Sequence, residues 1–245
     1  MQTIAEMVKQ KTIKLQTSKE NQTTTLNFSK TVNVYKFPKE KSVGFRRLLK
    51  LPVYYDKCTF ENAKVLCQEE AEIKKQIQDY CKKFDKALKH GIGIYMYGKV
   101  GAGKTYYSLC VFNELEKRGY RVLRTSIKQI MKQIWEGFKD SKIEIEMYKA
   151  FKESDLIIID DMGKEYINEG WGKSNLFEVF NFFEESQKCL IISTNLDIEQ
   201  MQEYTDTLGS AAVYDRLKKN CQGIKFNWES RRADVNKEIF EEIFG

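Results

Sequence analysis

"GKVGAGKT", residues 98–105, follows the apolar run "IGIYMY" (92–97) and precedes "YYSLCVFNELEK" (106–117). The run of six reads as a buried strand, and residues 103–118 read as a helix closed by Gly119. Between them the chain matches G-x-x-x-x-G-K-[ST] through Gly98, Gly103, Lys104 and Thr105, with Gly101 as an extra glycine. Glycines let backbone N–H groups turn inward around anionic oxygens, where a Cβ would block the turn. The helix start adds a partial positive charge. A strand, this loop and a helix in that order predict a phosphate-binding loop: Lys104 reaches the β- and γ-phosphates and Thr105 ligates Mg²⁺.

Working outward, strands and helices alternate. "YRVLRTS" (120–126), "DLIIID" (155–160), "CLIIST" (189–194) and "GIKFNW" (223–228) read as strands. Helices are expected over 61–89, over 127–153 with a break near 137–141, and over 173–187, 197–203 and 210–219. In 61–89, Val65, Leu66, Ile73, Ile77, Tyr80, Phe84 and Leu88 fall at helical spacing. This alternation predicts an α/β fold with a largely parallel sheet.

Two strand ends carry chemistry. "DLIIIDDMG" (155–163) delivers Asp160 and Asp161 from an apolar strand, Asp160 for Mg²⁺ and Asp161 to orient an attacking water. "CLIISTNLD" (189–197) ends in Ser193, Thr194 and Asn195; Asn195 is the candidate to hydrogen-bond a γ-phosphate or water, with an N-cap as its alternative use. Farther on, Arg216 in "YDRL" can point across a subunit boundary at a neighbour's γ-phosphate, and Arg231 or Arg232 in "SRR" can reach the nucleotide of its own subunit.

Composition narrows the rest. One histidine, His90, argues against a Ser-His-Asp or Cys-His hydrolase. Six cysteines without a CxxC pair predict reduced, structural thiols rather than a zinc site or disulfide framework. No apolar run is long enough to cross a membrane and the N-terminus lacks a secretory pattern, so a cytoplasmic protein is expected. Of the net charge of +6, residues 1–50 carry about +8, with eleven Lys/Arg against three Glu, leaving about −2 for the remainder. Residues 17–43 read as a linker and 2–15 as a short amphipathic helix. The organisation expected is a basic N-terminal arm (1–50), an ATPase domain (51–235) and a short C-terminal helix (236–245).

The set GKVGAGKT, LIIIDDMG, ISTN, YDRL and SRR, with "CTFEN" (58–62) ahead of a helix, resembles the AAA+ ATPases of the DnaC/DnaI helicase-loader group, with the IstB transposition ATPases as relatives. The resemblance spans roughly residues 50–235. It implies a P-loop NTPase of AAA+ type whose five-stranded parallel sheet has the order 5-1-4-3-2. It implies ATP and Mg²⁺, with Gly98, Gly101, Ala102, Gly103, Lys104, Thr105 and Tyr106 around the nucleotide. Arg216 then acts in trans, and Arg232 matches the family's second sensor better than Arg231. Implied partners are the replicative hexameric helicase, single-stranded DNA and further copies of the chain in an ATP-dependent assembly. Residues 127–153 resemble the insertion that tracks single strands and offer Lys128, Lys132, Trp135, Lys139 and Lys142, although Trp135 fits a core position equally well. An IstB-like partner of a transposase and a nucleotide-gated modulator of a replication protein are the alternative readings. Several relatives carry a zinc-binding cysteine cluster ahead of the ATPase; this chain has none there, and its size would suit a phage or mobile-element version.

Overall fold

The computed structural model describes residues 53–206, 212–231, 240, 241, 243 and 244. The expected arm, its helix and linker, and Arg232 lie outside the described residues. A 3-10 turn, Val53–Lys57, leads in. There follow α1 (Gln68–Lys82), α2 (Phe84–His90), β1 (Gly93–Gly98), α3 (Lys104–Lys117) and β2 (Val122–Thr125). Next come α4 (Ile127–Gly137), α5 (Ser141–Glu153), β3 (Leu156–Met162), α6 (Trp171–Glu185) and β4 (Cys189–Thr194). The last are α7 (Ile198–Thr205), α8 (Ala212–Asn220) and β5 (Cys221–Phe226). Phe240, Glu241, Ile243 and Phe244 are helical.

The five strands pair in the order β2-β3-β4-β1-β5, all parallel, which is the 5-1-4-3-2 order expected. Their apolar runs are long because helices cover both faces. Ile94, Ile158 and Ile191 lie in register across β1, β3 and β4. They face α1 and α3 in a cluster with Phe60, Ile77, Phe84, Tyr107, Val111 and Phe226. Aromatic rings tie α5 to α6: Tyr148 meets Phe182 at 5.0 Å and Phe151 meets Phe183 at 5.1 Å, both edge-on.

The chain leaves β1 at the sheet's interior and re-enters at the far edge as β2, beyond β4 and β3. The loops after β1 and β4 therefore part at neighbouring strand tips, where such sheets present a crevice.

Three expectations need correction. The first helix begins at Gln68, not 61, so Leu66 is 62% exposed rather than on a buried helical face. The Glu70 carboxylate turns back to accept the Leu66 amide at 3.0 Å and ties the extended lead-in to the first turn. β3 runs two residues past Asp160, through a register shift between Ile159 and Met162. β5 covers 221–226 rather than 223–228. It stops opposite Gly98, where β1 gives way to the loop and Lys99 donates its amide to the Phe226 carbonyl at 2.9 Å.

Candidate active site

The glycine-rich loop sits between β1 and α3, held open from behind by the chain after β5. Gly101 has φ +78°, and a Cβ there would collide with the Ser230 side chain. The Arg231 amide donates to the Gly101 carbonyl at 3.2 Å, and Lys99 Nζ pairs with Glu229 at 2.6 Å. Residues 226–231 thus strap the loop, and only glycine fits beneath the strap.

Lys104, the first residue of α3, is 5% exposed. Its Nζ donates to the carbonyls of Gly98 at 2.8 Å and Lys99 at 2.7 Å. An ammonium in so dry a place must keep its donors occupied. Backbone carbonyls are acceptors that an anionic ligand can replace. Ala102 is fully buried beneath the loop, and the Tyr106 hydroxyl reaches the Thr59 carbonyl at 3.1 Å, binding α3 to the lead-in "CTFEN" segment.

Asp160 is the hub of the second strand tip, 5% exposed. Its Oδ1 accepts from the Thr105 hydroxyl at 3.0 Å and from the Ser193 hydroxyl, while its Oδ2 accepts from Arg124. One carboxylate thereby links α3, β2, β3 and β4. Asp161 follows at the bulge with φ +56°, a left-handed conformation that Asp tolerates better than most residues. Its amide donates to Ser193 Oγ at 2.9 Å, and its carboxylate pairs with Lys164 at 2.8 Å, half open to solvent. The bulge turns the two adjacent carboxylates to different surroundings, one buried and one accessible.

Asn195 stands half-buried beyond the last residue of β4. It does not cap α7: Asp197 does, in a capping box with Gln200. Thr194 spends its hydroxyl on the Met162 carbonyl and the Leu196 amide.

Arg216 lies on α8 and folds back on its own subunit. Its Nε pairs with Glu184 at 2.8 Å, its Nη2 donates to Asn181 at 3.2 Å, and its guanidinium lies 4.6 Å over the Phe177 ring. Lys219, ahead of Arg216, holds the Glu184 carboxyl below its usual range. Arg231 turns from the loop to the Lys64 carbonyl and to Glu70, a fully buried carboxylate that also accepts from Tyr107 at 2.8 Å. Arg231 therefore braces α1 against the strap.

Arg124, Ser193 and Glu70 were not assigned from sequence. Arg124 left a signal: a cation within a strand expected to be largely buried needs a partner. Ser193 was read only as one of three polar residues ending β4, with Asn195 preferred, and Glu70 left no signal that separates it from ordinary helix residues.

Residues 45–238 match the family described as IstB-like ATP binding protein. The replicative helicase loader DnaC of Escherichia coli (strain K12) is 28% identical over 183 residues, covering 74% of this chain and 71% of DnaC. A crystal structure of the DnaC helicase loader superposes with a TM-score of 0.62 at 16% identity, covering 71% of this chain and 99% of that one. The replication initiator DnaA, solved with AMPPCP and single-stranded DNA, superposes at 0.57 and 22% identity, over 76% of this chain and 55% of DnaA. These neighbours share the AAA+ P-loop fold. With its family match spanning most of its length, the chain belongs to the IstB-like ATP binding proteins.

Proposed function

We propose that this chain is an ATP-dependent loader of the replicative DNA helicase onto single-stranded DNA. The carrying observation is the meeting of Lys104, Thr105, Asp160 and Ser193 at adjacent strand tips, in a chain similar along most of its length to a helicase loader. ATP occupies the loop from Gly98 to Tyr106, with Lys104 leaving its carbonyls for the phosphates. A hydroxyl and a carboxylate 3.0 Å apart are the hard oxygen donors that suit Mg²⁺, so Thr105 and Asp160 hold it. When bound, the ion offsets the negative charge of the phosphates. Asp161, accessible at the bulge, orients the attacking water, and Asn195 hydrogen-bonds the water or the γ-phosphate. Arg232 contacts the nucleotide of its own subunit. Arg216 leaves Glu184 for a neighbour's γ-phosphate, so hydrolysis is slow until copies assemble.

The α4–α5 pair carries the DNA contact. Trp135, expected to suit core or contact equally, is exposed, and its ring meets Phe138 at 6.1 Å and Trp171 at 6.0 Å. Lys128 and Lys132 on α4, Lys139 in the turn and Lys142 on α5 are exposed. Aromatic faces amid lysines are what single strands stack and pair against. The basic residues 1–50 are the helicase-binding arm of a cytoplasmic protein. The family description keeps the transposase-assisting reading second.

Light scattering of the full chain mixed with its cognate replicative helicase, in ATP and in ADP, tests the reading. A complex of defined mass that forms in ATP and is lost on deleting residues 1–50 is expected. Arg216→Ala should bind the helicase but hydrolyse ATP at least about 100-fold more slowly in the assembled state. Absence of a complex in either nucleotide overturns the reading in favour of a transposase or other partner.

A further inference from the structure

Arg124 brings a second cation to the phosphate end of the sheet, on the carboxylate that also accepts from Thr105. In β2 it lies in register with Ile158, on the α3 side, one pleat before Asp160. Its side chain is 19% exposed. Nη2 donates to Asp160 Oδ2, and the guanidinium sits 5.1 Å over the Tyr55 ring, which arrives on the lead-in 3-10 turn. Nε is buried without a hydrogen-bond partner among the described residues. A buried guanidinium with one charged partner and a spare donor is an incompletely satisfied group, placed to change partners. Asp160 is meanwhile committed to the chain's own donors, with Thr105 and Ser193 on one oxygen and Arg124 on the other.

We propose that Arg124 is a positioning residue that gates the divalent cation: it holds Asp160 while the nucleotide site is empty and must leave it before Mg²⁺ can be held there. The inference rests on the ATP-site reading above. Arg124 and a metal ion compete for the same carboxylate, so the affinity for Mg²⁺ is lowered by the fraction of molecules in which Asp160 is free of the arginine. The Tyr55 face offers the displaced guanidinium a resting place. It also connects the gate to the segment that joins the ATPase body to the residues before it. Asn113 on α3 fixes that segment through the carbonyls of Tyr55 and Cys58, at 2.7 and 2.8 Å.

The test is a fluorescence titration of the full-length chain with a methylanthraniloyl ATP, first in EDTA and then with rising MgCl₂. The unsubstituted chain, Arg124→Gln and Arg124→Lys are compared, each with a melting curve in EDTA. In Arg124→Gln the Mg²⁺ midpoint should fall about tenfold, the factor expected if roughly one site in ten is open in the unsubstituted chain. Arg124→Lys, which keeps the charge but has a shorter reach, should shift the same way by less, and it carries the test if the glutamine variant fails to fold. A purely structural arginine moves the melting curve and leaves the midpoint in place. Unmoved or raised midpoints in folded variants that bind nucleotide overturn the gate alone. A failure of the unsubstituted chain to bind nucleotide, with or without Mg²⁺, overturns the ATP-site reading and the gate with it.

Discussion

Lys104, Asp160 and Ser193 are buried at the tips of β1, β3 and β4, whereas Trp135 and Phe138 on the α4–α5 pair are 59% and 71% exposed. At the first place polar groups sit in a dry environment and hold one another. At the second, apolar rings sit in water beside lysines. Each inverts the usual distribution, and each inversion has a cost that the proposed ligand would relieve. On the proposed reading, the strand tips keep charges desolvated so that phosphates would meet donors already in place. On the same proposed reading, the hairpin keeps apolar area hydrated, and stacking on it would release water. The difference lies in cooperativity: damage at the tips spreads through the fold, and damage on the hairpin stays local.

The largest expected effect lies behind the loop. Glu70 is fully buried and accepts from Leu66, Tyr107 and Arg231, so it joins α1, α3 and the strap at one carboxylate. Glu70→Ala leaves Arg231 with the Lys64 carbonyl and Tyr107 without its acceptor. Breaking a buried pair from one side costs about 3–5 kcal/mol, and Arg231's partial exposure places this case near about 3 kcal/mol. In a body of this size that lowers the melting temperature by about 6–12 °C. Nucleotide affinity should fall as well, because the strap that supports Gly101 is tied to the same arginine. A melting temperature within about 2 °C of the unsubstituted chain's would break the comparison by showing this cluster to be as local as the hairpin.

Trp135→Ala is the matching change on the other side. Loss of one stacking face should weaken single-stranded DNA binding by about 1–3 kcal/mol, read by fluorescence anisotropy of a labelled oligonucleotide at fixed salt. The melting temperature and nucleotide affinity should not move. If DNA binding is unchanged while stability falls, the Trp135–Phe138–Trp171 cluster is a packing element and the hairpin has no claim to the DNA.

The two regions also differed in how far the sequence disclosed them. The places of the loop and the tips were legible because a glycine-rich turn between an apolar strand and a helix, and an apolar strand ending in two aspartates, mark themselves in the sequence; the structure brings Thr105, Asp160 and Ser193 together there. Strand order came with the family resemblance, not from periodicity. Asp161's left-handed conformation and the bulge under it were not legible, since they depend on the Ser193 hydroxyl thirty-two residues away. Leu66 was misplaced because apolar spacing runs on through residues that precede the helix start at Gln68. Trp135 stayed ambiguous because an aromatic at an i, i+4 position looks the same whether a partner covers it or not. Arg216 was legible as an arginine on a helix, but its partners Glu184 and Asn181 come from α6 and have no pattern that points to them.

The smallest effect concerns the end of the body opposite the strand tips, where Cys81 lies in the last turn of α1 and Cys189 and Cys221 open β4 and β5. Burial pushes the thiols of Cys81, Cys189 and Cys221 from an ordinary value of 9.0 up to about 12. Below pH 9 each thiol is neutral in both folded and unfolded chains, and its contribution to stability is fully present. As the pH rises past 9, the unfolded chain releases these protons and the folded chain does not, so stability drains away until the folded thiols ionise in turn. At pH 9.5 one thiol accounts for slightly under about 1 kcal/mol of that loss. Tyrosines and lysines titrate in the same range, so the share of a single thiol must be read by difference. Denaturant unfolding of Cys81→Ala beside the unsubstituted chain, at pH 7.5 and 9.5, should show the variant losing less stability between the two, by up to about 1 kcal/mol. Equal losses would mean that water reaches Cys81 in the folded chain. The core that α1 shares with the sheet would then be open to water at the end away from the strand tips, and the contrast between a dry body and a wet hairpin would fail there.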